Sequence, residues 1–271
     1  MGRVTTTNRR DVLRAGAGLI AGGTLATGCG TTGKDAPPPH PAANPTSANP
    51  TSAGPTTATP TPVAPSPRAF PRQPLQITHG PSASTSVAFT FHGQGDPTLA
   101  TQLLATAEKH GAHLTVLAVG SWLDAHPAMA RRILDGGHDL GNHTQRHISI
   151  NAMAEADARE EITKCADRLR RLTGSIGSWF RPSRASTASP LVARLATEAG
   201  YPHVLSYDVD SLDYTRPGAA AITRKVLAEV KGGSVVSMHF GYPDTVAALP
   251  AVLQELDRRG LRAVTTTELL S

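Results

Sequence analysis

The segment Gly141-Asn142-His143-Thr144-Gln145-Arg146-His147 follows a short apolar strand and places two histidines four residues apart. Neutral imidazole is a ready zinc ligand, and a hydrolytic zinc site takes about three protein ligands and leaves one position open. The pair therefore predicts a metal site whose third ligand lies elsewhere in the chain. The spacing alone also fits two surface histidines, so the interpretation depends on the rest of the sequence.

Outward from this segment, apolar strand-like runs alternate with helical patterns throughout residues 76–271. The predicted strands are 87–91, 114–119, 139–142, 178–181, 203–207, 234–238 and 262–264. Predicted helices begin at Pro97, Pro127, Pro190 and about Thr245, and end near Gly111, Gly136, Gly200 and Gly260. Strands joined by crossover helices predict an α/β fold with a parallel sheet, open or closed into a barrel.

Polar side chains gather just after the predicted strands, at residues 92–96, 143–147, from 181 onward, at 208–213 and at His239. In parallel α/β folds the carboxyl ends of the strands meet at one face, where functional residues collect. One shared site is the simplest explanation of these positions.

The first 29 residues have the features of an export leader. Arg9-Arg10 is followed by the weakly apolar run 15–27, a pattern typical of a twin-arginine signal, although a plain basic N-terminus is the alternative. Ala26-Thr27-Gly28-Cys29 resembles a lipobox and makes Cys29 a candidate lipidation site. Because Leu25 lies one position early for a lipobox, simple cleavage and secretion stays open. We expect an exported protein that is either secreted or held at the extracellular face of the cell membrane by a lipid anchor alone.

Residues 30–75 are rich in Pro, Ala, Thr and Ser and lack apolar periodicity, which predicts a disordered tether. Residues 76–271 then form one domain, expected to be a monomer. Seven of the 26 Lys and Arg residues and two of the 21 Asp and Glu residues precede residue 76, so this domain has 19 of each sign. A formally neutral domain argues against nucleic-acid binding. Cys165 lies on the apolar face of a predicted helix and is expected to be a buried thiol.

These motifs resemble the polysaccharide deacetylase family, the NodB-homology domain of carbohydrate esterase family 4, over about residues 84–268. The resemblance implies a distorted (β/α) barrel of about seven parallel strands. It also implies a divalent metal, most often Zn²⁺, and removal of N-acetyl groups from chitin-like or peptidoglycan sugars or of O-acetyl groups from xylan.

The resemblance assigns roles to individual residues. His143 and His147 match the metal-binding pair, and Arg181 matches the arginine that orients the catalytic base. Asp210 is at the position that holds this arginine, and His239 at that of the catalytic acid. Two further residues are implied in substrate binding: Tyr214, which replaces a usual tryptophan, and Met238, which replaces a usual leucine.

The first motif departs from the family, whose Thr-Phe-Asp-Asp-Gly becomes Thr-Phe-His-Gly-Gln-Gly-Asp at residues 90–96. One hypothesis makes Asp96 the third metal ligand and His92 the general base. The other makes His92 the third ligand and Asp96 the base. We favour the first because it keeps the ligand types of the family.

The chemistry implied is metal-dependent hydrolysis of an acetamide on a cell-wall or chitin-like polysaccharide. The alternative is a catalytically impaired glycan-binding module at the cell surface, since the paired carboxylates of the first motif are missing. The joint presence of His143, His147, Arg181, Asp210 and His239 favours the enzyme, because a binding module has no need of a proton donor.

Overall fold

The computed structural model describes residues 63–271. The predicted export signal at 1–29, the lipidation site Cys29 and most of the predicted tether lie outside the described residues.

The described chain alternates strands with helices. Its strands are β1 (Gln76–Ile77), β2 (Ser86–Gly93), β3 (Thr115–Ala118), β4 (Asp139–Asn142), β5 (Val204–Leu205), β6 (Val209–Asp210), β7 (Val235–His239) and β8 (Arg262–Val264). Its helices are α1 (Pro97–Lys109), α2 (Gly120–Ala125), α3 (Ala128–Asp135), α4 (Glu155–Thr173), α5 (Pro190–Glu198), α6 (Ala219–Glu229), α7 (Pro243–Arg258) and α8 (Thr266–Leu270). The predicted helix starts at Pro97 and Pro190 are confirmed, and Asp96 and Ser189 cap these helices with their side chains.

All strand pairs in the described chain are parallel. The larger sheet has the order β4-β3-β2-β7-β6, with β8 paired to the start of β2, and a smaller sheet is formed by β1 and β5. The predicted strand at 178–181 is reduced to Phe180, which bridges Asn142 on one side and Val204 on the other. Phe180 thus connects the two sheets. The predicted parallel α/β fold is confirmed.

Side chains alternate between two apolar layers along each central strand. On β2 and β7, Phe91 and Met238 pack outward in the main core beneath the helices. Ala88 and Val235 point the other way and share a second core with Ile77 and Leu205. Because this inner core joins strands from distant positions in the sheet order, the sheet is curved around it, as a distorted barrel requires.

Residues 63–75, the last part of the predicted tether, pack against the domain. The backbone N–H of Ala64 donates to the carbonyl of Thr173 at 3.2 Å. Phe70 stacks on Trp179 with ring centroids 5.6 Å apart. The packed part of the chain therefore begins before residue 76, because Phe70 is buried in the same core as Trp179.

Within residues 63–271 no helix is both long enough and apolar enough to cross a membrane. Cys165 is a buried free thiol as predicted, and burial raises its pKa to about 12.

Gly93 ends β2 at a point where the neighbouring strand leaves no space for a side chain. A Cβ at this position would lie 2.8 Å from Cγ1 of Val116 and 3.0 Å from Cα of Ala118. The second contact is with backbone, which cannot move away as a side chain can. The glycine is therefore required by the close approach of β2 and β3.

We expect Gly93→Ala to lower the free energy of unfolding by about 1–3 kcal/mol, the usual cost of overpacking a core. Urea denaturation measures this change. Val116→Ala removes the nearer contact, so the glycine substitution should cost less in that background. Equal stability of Gly93→Ala and the parent chain would show that the strands separate without cost.

His138 is a buried histidine whose Nδ1 accepts a hydrogen bond from the backbone N–H of Leu114 at 3.0 Å. Burial lowers its pKa from 6.5 to about 4, against the opposing effect of Glu108. The folded protein therefore holds this imidazole neutral at pH values where the unfolded chain is protonated.

Because the folded-state pKa lies below the unfolded value, stability should fall as the pH decreases from 6.5 towards 4, by about 3 kcal/mol for this group. His138→Asn keeps an acceptor for Leu114 without titrating, so this variant should lose less stability over that interval. Unfolding curves at a series of pH values measure the difference. Parallel profiles for the two proteins would contradict the assignment.

Candidate active site

The predicted common site exists at the carboxyl ends of β2, β4 and β7. A cavity of about 870 Å³ opens there between the loops that follow these strands. Its lining includes His92, His147, Arg184, Tyr207, Asp210, Tyr214, Arg216, His239 and Tyr242.

Three histidines meet at the floor of this cavity. One ligand nitrogen from each of His92, His143 and His147 lies within 4.8 Å of the others, a spacing that can hold a metal ion. Nε2 of His143 is 3.1 Å from Nδ1 of His92. The group contains no carboxylate.

The other ring nitrogens of His92 and His143 are held by the protein. Nδ1 of His143 donates to the carbonyl of Arg181 at 3.0 Å, which leaves its Nε2 unprotonated towards His92. Nε2 of His92 bonds Oγ of Ser237 at 3.3 Å. Such outer hydrogen bonds fix the orientation of histidines that bind metals.

Burial is the main reason why these histidines are neutral. It lowers the pKa of His92 and of His143 well below 6.5, and the neighbouring histidines lower both further, while the hydrogen bond to the carbonyl of Arg181 acts in the opposite direction on His143. The pKa of His147 falls to about 4 through burial, with Arg184 as the next cause. Neutral imidazole is the form that binds metal, so the donor set fits a divalent cation of the zinc type.

The loop after β4 brings both motif histidines to one point through an unusual backbone. Thr144 and His147 have φ angles of 70° and 55°, in the left-handed region that non-glycine residues seldom adopt. The N–H of Thr144 donates to Oδ1 of Asn142 at 2.8 Å, and its hydroxyl donates to Ser183 at 3.0 Å. Strain of this kind collects at functional sites.

Asp96 does not take part in the metal group, which corrects the favoured hypothesis. Its side chain is exposed and accepts the N–H of Thr98 at 2.8 Å as the N-cap of α1. The predicted alternative role of Asp96 as base also lacks support, because Asp96 does not line the cavity. His92 is the third histidine of the group that can hold a metal ion, as in the second hypothesis.

The predicted ion pair of Arg181 with Asp210 is also corrected. Arg181 is fully buried and donates through Nε to the carbonyl of Leu205 at 3.1 Å and through Nη2 to that of Ser206 at 2.9 Å. Burial lowers its pKa to about 10, while Tyr207 and Asp210 act in the opposite direction. Oδ1 of Asp210 accepts the N–H of Leu212 at 3.0 Å, which turns this carboxylate to its own loop.

His239 stands opposite the three histidines and has a carboxylate of its own. Its Nδ1 donates to Oδ1 of Asp213 at 2.7 Å, and its ring lies 4.2 Å from that of His92 between centroids. Asp213 is fully buried and also accepts from the N–H of His239 at 2.8 Å and from Oγ1 of Thr245 at 2.7 Å. Nε2 of His239 is therefore the nitrogen left for a ligand in the cavity.

The two predicted substrate-binding residues have different positions. Tyr214 lines the cavity, is 47% exposed and packs its ring 5.3 Å from that of His239. Met238 is fully buried in the outer core, because it points away from the side of β7 that carries Ser237 and His239. The prediction for Met238 is wrong.

Two contributors to the site were missed in the sequence. Asp213 is one of three acidic residues in the segment 208–213, and nothing in the local pattern indicates which of them turns inwards. Ser237 could have been found, since it lies two residues before His239 and must share its face of β7.

Comparison with known proteins agrees with this geometry. A family model described as polysaccharide deacetylase matches residues 79–204. A peptidoglycan-N-acetylglucosamine deacetylase of Bacillus cereus is 31% identical over 194 residues, which cover 70% of this chain and 90% of that protein.

Two solved structures share the fold. The Bc1960 peptidoglycan N-acetylglucosamine deacetylase has a TM-score of 0.68 at 27% identity, over 72% of this chain and 92% of that one. A CE4 family pseudoenzyme from Bacillus anthracis has a TM-score of 0.69 at 23% identity, over 73% and 70%. The family assignment supports a deacetylase hydrolase with a distorted-barrel α/β fold. The chain belongs to the polysaccharide deacetylase family.

Proposed function

We propose that this protein is a metal-dependent hydrolase that removes acetyl groups from an N-acetylated cell-wall or chitin-like polysaccharide. The observation that carries the proposal is the placement of three neutral histidines beside the His239–Asp213 pair in one cavity. Hydrolysis of an acetamide requires a group of metal ligands with a proton donor close to it.

His92, His143 and His147 would hold the cation. Three imidazoles with an open position suit Zn²⁺ among the divalent metals. When bound, the ion would polarise the acetyl carbonyl and favour ionisation of water. The protein fixes its ligands in advance, since His143 donates to the carbonyl of Arg181 and His92 bonds Ser237.

His239 would deliver the proton that the leaving amine needs. Its Nδ1–H is held by the buried carboxylate of Asp213, so Nε2 points into the cavity, where it would carry the proton. An amine leaves poorly until it is protonated, and a placed acid contributes roughly 10² to 10⁴ in rate.

The substrate class is supported by relatives and by the leader sequence. The Bacillus cereus relative is a peptidoglycan-N-acetylglucosamine deacetylase, and a Sinorhizobium fredii relative is a chitooligosaccharide deacetylase. Export by the twin-arginine route, with or without lipidation of Cys29, would bring a monomer of this chain to wall glycan. The exposed ring of Tyr214 offers a surface for a sugar.

A second function, glycan binding without turnover, is favoured by one observation. The three-histidine group contains no carboxylate, and Asp96 caps α1 outside the cavity, so the carboxylate pair of the family's first motif has no counterpart among the described residues of the site. The structural neighbour from Bacillus anthracis is itself a pseudoenzyme, which shows that this fold occurs without activity.

Metal analysis of the purified chain tests the ligand set. We expect about one equivalent of zinc in the parent protein and loss of most of it in His92→Ala, His143→Ala and His147→Ala, because each removes one of three ligands. His110→Ala, a substitution of an exposed histidine at the end of α1, should keep full occupancy. Full zinc content in His92→Ala would show that this residue is not a ligand.

Acetate release from N-acetylglucosamine oligomers and from peptidoglycan tests the chemistry. His239→Ala should lower kcat by roughly 10² to 10⁴ and keep its zinc, because it removes the proton donor alone. Asp213→Asn should also lower kcat, by a smaller factor, and shift the pH profile. Bound zinc without acetate from either substrate would favour the glycan-binding module over the enzyme.

A further inference from the structure

Two arginines at the mouth of the cavity have no part in the chemistry proposed above. Arg184 lies in the loop between α4 and α5, and Arg216 lies in the loop between β6 and α6. The two arginines therefore come from different loops. Both line the cavity and both are exposed. Among residues 63–271, no carboxylate oxygen lies within 4.0 Å of either guanidinium group.

Most arginines on the helices are neutralised, as Arg132 is by Glu108 at 2.5 Å and Arg159 by Glu198 at 2.6 Å. The cavity differs because Asp210 is the one carboxylate among the residues that line it, and Oδ1 of Asp210 is already bonded to the backbone. Asp213 lies behind His239, where it is fully buried. The mouth therefore carries two guanidinium charges against one carboxylate, with buried Arg181 beneath it.

Both arginines are held in place at a conformational cost. Arg184 and Arg216 have φ angles of 53° and 57°, in the left-handed region that residues other than glycine and asparagine rarely adopt. Nε of Arg184 donates to the carbonyl of His147 at 3.0 Å, which ties this arginine to a predicted metal ligand. Arg216 lies over the ring of Tyr242 at 5.7 Å from its centroid.

Among residues 63–271, the terminal nitrogens of both groups have no hydrogen-bond partner. Arg184 uses Nε for the carbonyl of His147, so its terminal nitrogens are available, and Arg216 lies over the ring of Tyr242. A planar guanidinium matches the two oxygens of a carboxylate. Tyr242 in turn packs 6.0 Å from His239, so the second arginine lies one ring away from the proton donor.

We propose that the natural substrate is an acidic N-acetylated glycan, with a carboxylate close to the reacting acetamide that Arg184 and Arg216 bind. This inference rests on the proposed function and narrows its substrate class. An amino sugar with an ether-linked carboxylate, as in N-acetylmuramic acid, has this chemistry, and so does a sugar that carries an acidic peptide. A neutral chitin-like chain leaves both charges without a partner.

Binding measurements test the proposal separately from turnover. The ligands are a muramic-acid-containing disaccharide with a free carboxylate, the same disaccharide with that carboxylate amidated to an acidic peptide, and neutral chitobiose. Binding is measured by calorimetric titration of the full zinc-loaded chain. Every protein in the series carries His239→Ala, which prevents hydrolysis. Arg184→Gln, Arg216→Gln and the double variant are compared with Arg171→Gln, a substitution of an exposed arginine near the end of α4 and outside the cavity lining.

We expect the free-carboxylate disaccharide to bind about tenfold more tightly than chitobiose, with the preference lost in the double variant and kept in Arg171→Gln. A preference for the peptide-linked ligand, lost in the same variants, would place the carboxylate on the peptide and also support the proposal. Equal binding of all three ligands, no binding of any, or equal weakening of acidic and neutral ligands in the arginine variants would overturn it. An acidic preference without acetate release from the parent chain would uphold carboxylate binding by the two arginines and reject the deacetylase.

Discussion

The pairing of β2 with β7 sets His92 directly opposite His239 at one level of the sheet, and the remaining site is arranged around this register. Because side chains alternate along a strand, the same register turns Phe91 and Met238 into the outer core and leaves Ser237 facing His92. A shift of one residue in either strand would exchange the imidazoles with the apolar side chains. The packing of the outer core therefore determines where the reactive groups lie.

Burial of several imidazoles so close together has an electrostatic consequence. Each lowers the pKa of its neighbours, and burial lowers it more, so His92 and His143 are neutral without help from any carboxylate. The fully buried carboxylate of Asp213 is bonded to His239 and not to these imidazoles. The site thus separates three neutral histidines on one side from a histidine that is hydrogen-bonded to a carboxylate on the other.

The altered first motif is consistent with this separation. Gly93 takes the place of the second aspartate of the family motif, and the close approach of Val116 and Ala118 excludes a side chain there. Asp96, the next acidic residue, is used to begin α1. His92 is then the first-motif side chain that reaches the two histidines of the loop after β4, so the ligand set becomes three imidazoles.

The sequence by itself determined the parallel α/β fold and the clustering of polar loops at one face, which brings His143, His147 and His239 near one another. These features follow from strand periodicity and helix ends, which are local signals. The sequence placed Asp96 on the metal, Asp210 on Arg181 and Met238 in the pocket. The error at Met238 is local, because a residue next to His239 in a strand points to the opposite face. The directions of the Asp96 and Asp210 side chains are set by helix capping and loop hydrogen bonds near the strand ends. Only the tertiary structure decided these two, as it decided that Asp213 pairs with His239, because contacts between distant segments leave no trace in the local pattern.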